Sequence, residues 1–117
     1  MGLLVYDSSN EFTIDDRALA HLQLAIATKL RRGESFLLSW HTATENGSGR
    51  VSLWIAPSIP LQFIFFGSRQ PQLNRVWLDV LTELSFTARG MLLVSENDAE
   101  AVNAGVLGVD EVNGMVI

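Results

Sequence analysis

The 117-residue chain has no cysteine, three prolines, two histidines and a single lysine. Without cysteine there is no disulfide scaffold, no thiol nucleophile and no thiolate zinc site. His21 and His41 stand in no HxxxH or HExxH spacing, so a metal would have to be gathered from distant carboxylates, and neither a metal nor a cofactor is expected. No apolar run approaches the ~18 residues that a membrane helix needs. No basic segment followed by an apolar stretch opens the chain either, so the simplest expectation is a cytoplasmic protein without membrane association. There is no GK[ST] phosphate loop and no nucleophile elbow, and His41 and Ser39, two residues apart on one strand, stand too far apart for a ready hydrogen bond. Charged residues reach only 18 %, against about 25 % in typical soluble proteins. Some surface is therefore uncharged or covered, which makes a homodimer one expectation.

The composition that is present supports a single core: 48 % of residues are hydrophobic, enough for one domain without staples. Charge is segregated. Up to Gly90 one lysine and seven arginines balance eight acids, and beyond it Glu96, Asp98, Glu100, Asp110 and Glu111 supply the whole net charge of −5. The expected organisation is a domain over residues 1–95 and an acidic C-terminal tail over 96–117 containing a short helix. A basic side dominated by arginine favours planar anionic partners, because guanidinium offers a fixed fork of donors.

Residues 2–6 and 11–14 are short apolar stretches around Asp7-Ser8-Ser9-Asn10, a turn-forming cluster, and predict a hairpin. Residues 15–32 lack Gly and Pro, begin with two acids and end with Lys29, Arg31 and Arg32 before Gly33, which predicts a helix. Its buried stripe is Leu19, Leu22, Ile26 and Leu30, with Leu24, His21 and Thr28 turned away. Alternation over 35–42 and 50–56 places Phe36, Leu38 and Trp40, then Val51, Leu53 and Ile55, on inward faces. Asn46-Gly47-Ser48-Gly49 suits the hairpin loop between them. Residues 61–66 are apolar on both faces near their end and predict a central or covered strand. Leu37, Trp54, Ile64 and Phe66 would share the half-apolar second face.

Pro71 suits the first turn of a second helix capped near Ser68 or Gln70 and ending at Gly90, with Leu73, Val76, Trp77, Val80 and Leu84 as its stripe. Leu78 and Phe86 fall off that stripe, so either the helix ends early or these residues meet another element. A strand at 91–94 and a helix capped by Ser95 follow. The order β-β-α-β-β-β-α-β-(α) predicts an α+β fold: a mostly antiparallel sheet of about five to six strands, with two main helices packed on one face.

The candidate anion-binding or nucleic-acid-binding residues are Arg31, Arg32, Arg50, Ser68, Arg69 and Arg75. Gly67-Ser68-Arg69-Gln70-Pro71, between a strand and a helix, could present backbone N–H groups, a hydroxyl and a guanidinium to phosphate. Trp54 is the candidate stacking surface, since Trp40 and Trp77 fall within core patterns.

Ile14-Asp15-Asp16-Arg17-Ala18-Leu19-Ala20-His21-Leu22, Lys29-Leu30-Arg31-Arg32-Gly33-Glu34-Ser35-Phe36, Pro57-Ser58-Ile59-Pro60-Leu61, Phe66-Gly67-Ser68-Arg69 and Leu73-Asn74-Arg75-Val76-Trp77 carry a resemblance. Across roughly residues 1–95 the chain resembles a family of short actinobacterial proteins generally labelled "ATP-dependent DNA ligase" or hypothetical protein. The resemblance implies a bacterial cytoplasmic origin, and the ligase label implies an adenylated lysine in a Lys-x-Asp-Gly motif. Here the one lysine is followed by Leu30-Arg31-Arg32, a departure from that motif. The expectation is a non-catalytic interaction module that contacts nucleic acid or an acidic protein through arginines. The alternatives are a homodimeric accessory domain and a ligase-like nucleotidyltransferase.

Overall fold

A computed structural model of the chain describes residues 1–44 and 47–117. The order of elements is β1 (Gly2–Tyr6), β2 (Asn10–Ile14), α1 (Asp16–Arg31), β3 (Phe36–Thr44), β4 (Gly47–Ile55), β5 (Leu61–Phe65), α2 (Arg75–Leu84), β6 (Met91–Leu92) and α3 (Glu96–Asn103). This is the anticipated α+β order with six strands. The strands divide between two sheets, β2-β1-β5 and β4-β3-β6, where a single sheet was expected. All pairings are antiparallel except that of β3 with β6. The division arises because β1 takes β5 as its second neighbour, with Leu4 opposite Phe63, instead of leaving β5 to β4. β5 is therefore an edge strand, which rules out the central position, one of the two readings its apolar sequence allowed. The 43–49 connector was expected to be a loop, but β3 and β4 extend into it, and its remaining residues, Glu45 and Asn46, lie outside the described residues.

α1 forms as its sequence dictates. Asp15 caps it, accepting the Ala18 N–H at 3.1 Å, and Gly33, at φ +74°, ends it. Leu19, Leu22 and Ile26 are buried as anticipated, and so are Phe36, Leu38 and Trp40 of β3. The two sheets meet in one core: Phe12 packs edge-on against Trp40 with ring centroids 5.1 Å apart, and the Tyr6 hydroxyl donates to the Trp54 carbonyl at 2.8 Å.

α2 begins four residues after Pro71, at Arg75, because Asn74 is the better cap: its Oδ1 accepts the N–H groups of Val76 at 3.0 Å and Trp77 at 3.4 Å. Leu73, expected in the core stripe, is exposed ahead of the helix. At the other end the helix stops at Leu84, which leaves Phe86 on the surface. His21, expected on the outward face of α1, is fully buried because α2 crosses that face.

The acidic segment from residue 96 onward is packed against the body. Ala99 and Val112 have no exposed surface, and Arg89 donates to the carbonyls of Val109 and Val112. The last residues run beside β3: the His41 N–H donates to the Met115 carbonyl at 2.9 Å and the Ile117 N–H to the His41 carbonyl at 2.8 Å.

Candidate anion-binding groove

Three of the six candidate anion-binding residues come together. Arg31 from α1 and Ser68 and Arg69 from the segment after β5 line one groove of about 470 Å³. Its floor is apolar, built from Leu24 and Ala27 of α1 and from Phe65, Pro71 and Leu73. From Ala20 to Arg31 the helical wall extends for about 16 Å at 1.5 Å per residue. Among the described residues neither Arg31 nor Arg69 has a carboxylate within ion-pairing distance. Among the described residues, then, two guanidinium groups outside any ion pair stand at the rim of an apolar trough.

The other candidates lie elsewhere. Arg32 is turned to solvent with Glu34 at 4.0 Å, and Arg75, 89 % exposed, lies 3.7 Å from Asp79 one helical turn away. Ser68 and Arg69 are not at a helix start, since α2 begins at Arg75, so the expected combination of helix N-terminus and phosphate loop does not form. Arg50 pairs in register with His41 in the β3–β4 ladder, with Ser52 opposite Ser39 and Trp54 opposite Leu37. Arg50, Ser52 and Trp54 share a face of β4 by the two-residue alternation of a strand. Trp54 is 52 % exposed there, a surface aromatic as expected, whereas Trp40 and Trp77 are buried. Ser39 and Ser52 bond each other at 2.9 Å, which occupies the hydroxyl next to His41.

The wall of the groove is held by a polar cluster that the sequence did not single out. Arg17 forms two bonds to Glu96, and Asn74 Nδ2 donates to Glu96 and Glu100 at 2.8 and 2.9 Å. Hydrogen bonds from Arg17 and then Asn74 pull the Glu96 carboxyl from its ordinary 4.5 down to about 2. The same contact with Glu96 raises Arg17. For the apolar part of the groove the available signal was Leu24, a leucine on the outward side of α1. It is half-buried and forms part of the floor.

Lys29, read as a cation at the helix end, is only 3 % exposed. Its ammonium pairs with Glu34 at 3.0 Å, donates to Ser85 Oγ at 2.8 Å and lies 4.0 Å from the centre of the Phe86 ring.

Fold and groove together define a small α+β domain with an arginine-rimmed, apolar-floored trough. The chain belongs to the family described as domain of unknown function DUF7882, whose match covers residues 1–96. No curated protein and no solved structure matches it. Among the described residues no helix is long and apolar enough to cross a membrane.

Proposed function

We propose that this protein is a non-catalytic interaction module that receives an acidic, partly apolar polypeptide segment in the groove between α1 and residues 65–73. The observation that carries this reading is that Arg31 and Arg69 line one groove with an apolar floor, with no carboxylate within ion-pairing distance of either among the described residues. The apolar floor favours a partly apolar polypeptide over a nucleic-acid backbone, which calls for a continuous basic track. The reading includes a cytoplasmic setting and a bacterial origin, both drawn from the sequence alone.

Fluorescence anisotropy at low salt tests it, with a labelled peptide alternating Glu and Leu beside labelled single- and double-stranded oligonucleotides. The peptide binds, and Arg31→Glu with Arg69→Glu weakens it at least tenfold while Arg50→Glu leaves it unchanged. No peptide binding, or binding indifferent to the groove arginines, removes the proposal.

A second reading is favoured by the half-exposed Trp54 on the strand face that also carries Arg50, which suits stacking on a single-stranded nucleic acid. Oligonucleotide binding lost in Trp54→Ala and Arg50→Glu would select it. The ligase-like reading rests on the resemblance alone and would have to use Lys29. Its ammonium is buried and already held by Glu34 and Ser85, a poor start for an adenylation nucleophile. Incubation with ATP and magnesium followed by denaturing mass spectrometry checks it, and an adduct on Lys29 would revive it.

A further inference from the structure

The loop wall of the groove leaves α1 and comes back to it. At its start the Gly67 N–H donates to Asp16 Oδ2 at 3.2 Å. At its end Arg17 Nη1 donates to the Gln72 carbonyl at 2.8 Å, and the Asn74 N–H donates to His21 Nε2 at 2.8 Å. All three anchors lie on the first turns of α1, so residues 67–74 form a strap pinned at both ends. Between the pins, Ser68, Arg69 and Pro71 line the groove.

The hydrogen bonds of His21 define the tautomer of its ring. Nδ1 lies 2.8 Å from the Arg17 carbonyl oxygen, which can only accept, so Nδ1 carries the proton. A backbone N–H can only donate, so Nε2 is bare. The neutral ring is fully buried and stacked on Trp77, with centroids 4.4 Å apart and planes 27° from parallel. A proton on Nε2 would set two donors against each other at hydrogen-bond distance, and the pin to Asn74 would break.

We propose that His21 is a proton-operated latch: the neutral imidazole pins the strap at Asn74, and the imidazolium releases it and loosens the Arg69 side of the groove. The consequence for binding rests on the groove reading above, while the latch can be observed without any ligand. The charged groups around His21 are Arg17 on its own helix and, from α3, Glu96 and Glu100, both bonded to the side chain of Asn74. From α2 the facing groups are Asn74 and Trp77, neither of which carries charge. Glu96, held down to about 2, stays ionised throughout the range from pH 7.5 to pH 5.0.

Amide hydrogen exchange on the full chain, measured by NMR at pH 7.5 and 5.0 and divided by the intrinsic rate at each pH, tests the latch. Protection of the Asn74 amide falls at least tenfold at the lower pH, while the Leu22 and Ile26 amides keep theirs. In His21→Gln, whose Oε1 accepts without titrating, Asn74 protection changes less than twofold. Unchanged protection in the native chain, or an equal fall in His21→Gln, overturns the proposal. If that variant does not fold, the native ring nitrogen signals decide: a ring still neutral at pH 5.0 while Asn74 protection falls also overturns it. The alternating Glu-Leu peptide, titrated at the same two pH values, separates the two ideas. Loss of Asn74 protection with no peptide binding at either pH supports the latch and removes the groove reading.

Discussion

Arg17 holds Glu96 across 79 positions of sequence with two parallel bonds, Nε to Oε1 at 3.0 Å and Nη2 to Oε2 at 2.7 Å. A bidentate fork of this kind is the strongest common form of ion pair. It connects the start of α1 to the start of α3 and so fastens the acidic segment to the body. Because Asn74 joins the same carboxylate, the pair also fixes the cap of α2 and the end of the strap over the groove.

The pair makes stability depend on acid in a predictable direction. Glu96 titrates near 2 in the folded chain and at 4.5 as an ordinary glutamate. Its contribution is complete above the higher value and is lost as pH falls through the lower one. Urea denaturation from pH 6 to pH 2 will show a decline below pH 5, and Glu96→Gln will show a shallower one from a lower starting stability. Equal slopes in the two proteins would contradict the assignment.

Deleting residues 96–117 will abolish cooperative unfolding. The deletion uncovers the surfaces against which Ala99 and Val112 are fully buried and leaves Arg17 without Glu96. Burial of one valine is worth about 1.5–3 kcal/mol, and with the lost pair and strand contacts the total approaches the 5–15 kcal/mol of a typical domain. Circular dichroism during heating and thermal scans by intrinsic fluorescence will show a broad, non-sigmoidal transition.

Lys29 separates the effect of charge from that of volume. Lys29→Met keeps the stem among Phe36 and Phe86, and its former partner Glu34 is partly exposed and can be rehydrated. The cost is expected to stay below about 1.5 kcal/mol. Lys29→Ala also leaves a cavity beneath Phe86 and is expected to cost about 2–4 kcal/mol. Urea midpoints of the two variants provide the comparison.

Gly90 and Gly33 share the left-handed backbone region, at φ +78° and +74°, but differ in their surroundings. A Cβ on Gly90 would come within 2.6 Å of both Cβ and the carbonyl oxygen of Leu37, whereas a Cβ on Gly33 meets nothing within 4 Å. Gly33→Ala pays only the conformational cost, about 1–2 kcal/mol. Gly90→Ala adds a backbone clash where the chain enters β6, and chemical denaturation will show it to be the more destabilised variant by at least about 1 kcal/mol.

Local pattern carried the order of elements. The Leu19, Leu22 and Ile26 stripe and the Phe36, Leu38 and Trp40 alternation were legible because periodicity alone decides which face is buried. What could not be read depends on contacts between distant segments. The split into two sheets follows from β1 choosing β5, and the Gly-interrupted end of the chain gained its order by lying along β3. His21 sat on an outward helical face until α2 crossed it. In the groove, Arg31 and Arg69 were each visible as arginines, but the bend that brings residue 69 back over α1 comes from its pins to Asp16, Arg17 and His21.

The most direct measurement is a ¹⁵N-HSQC titration of the full chain with the alternating Glu-Leu peptide at low salt. The account predicts shifts concentrated at Gln23, Ala27, Arg31, Ser68 and Arg69, which are lost when Arg31 and Arg69 are both reversed to Glu. Shifts gathered instead around Arg50 and Trp54, or a spectrum unmoved by millimolar peptide, would contradict it.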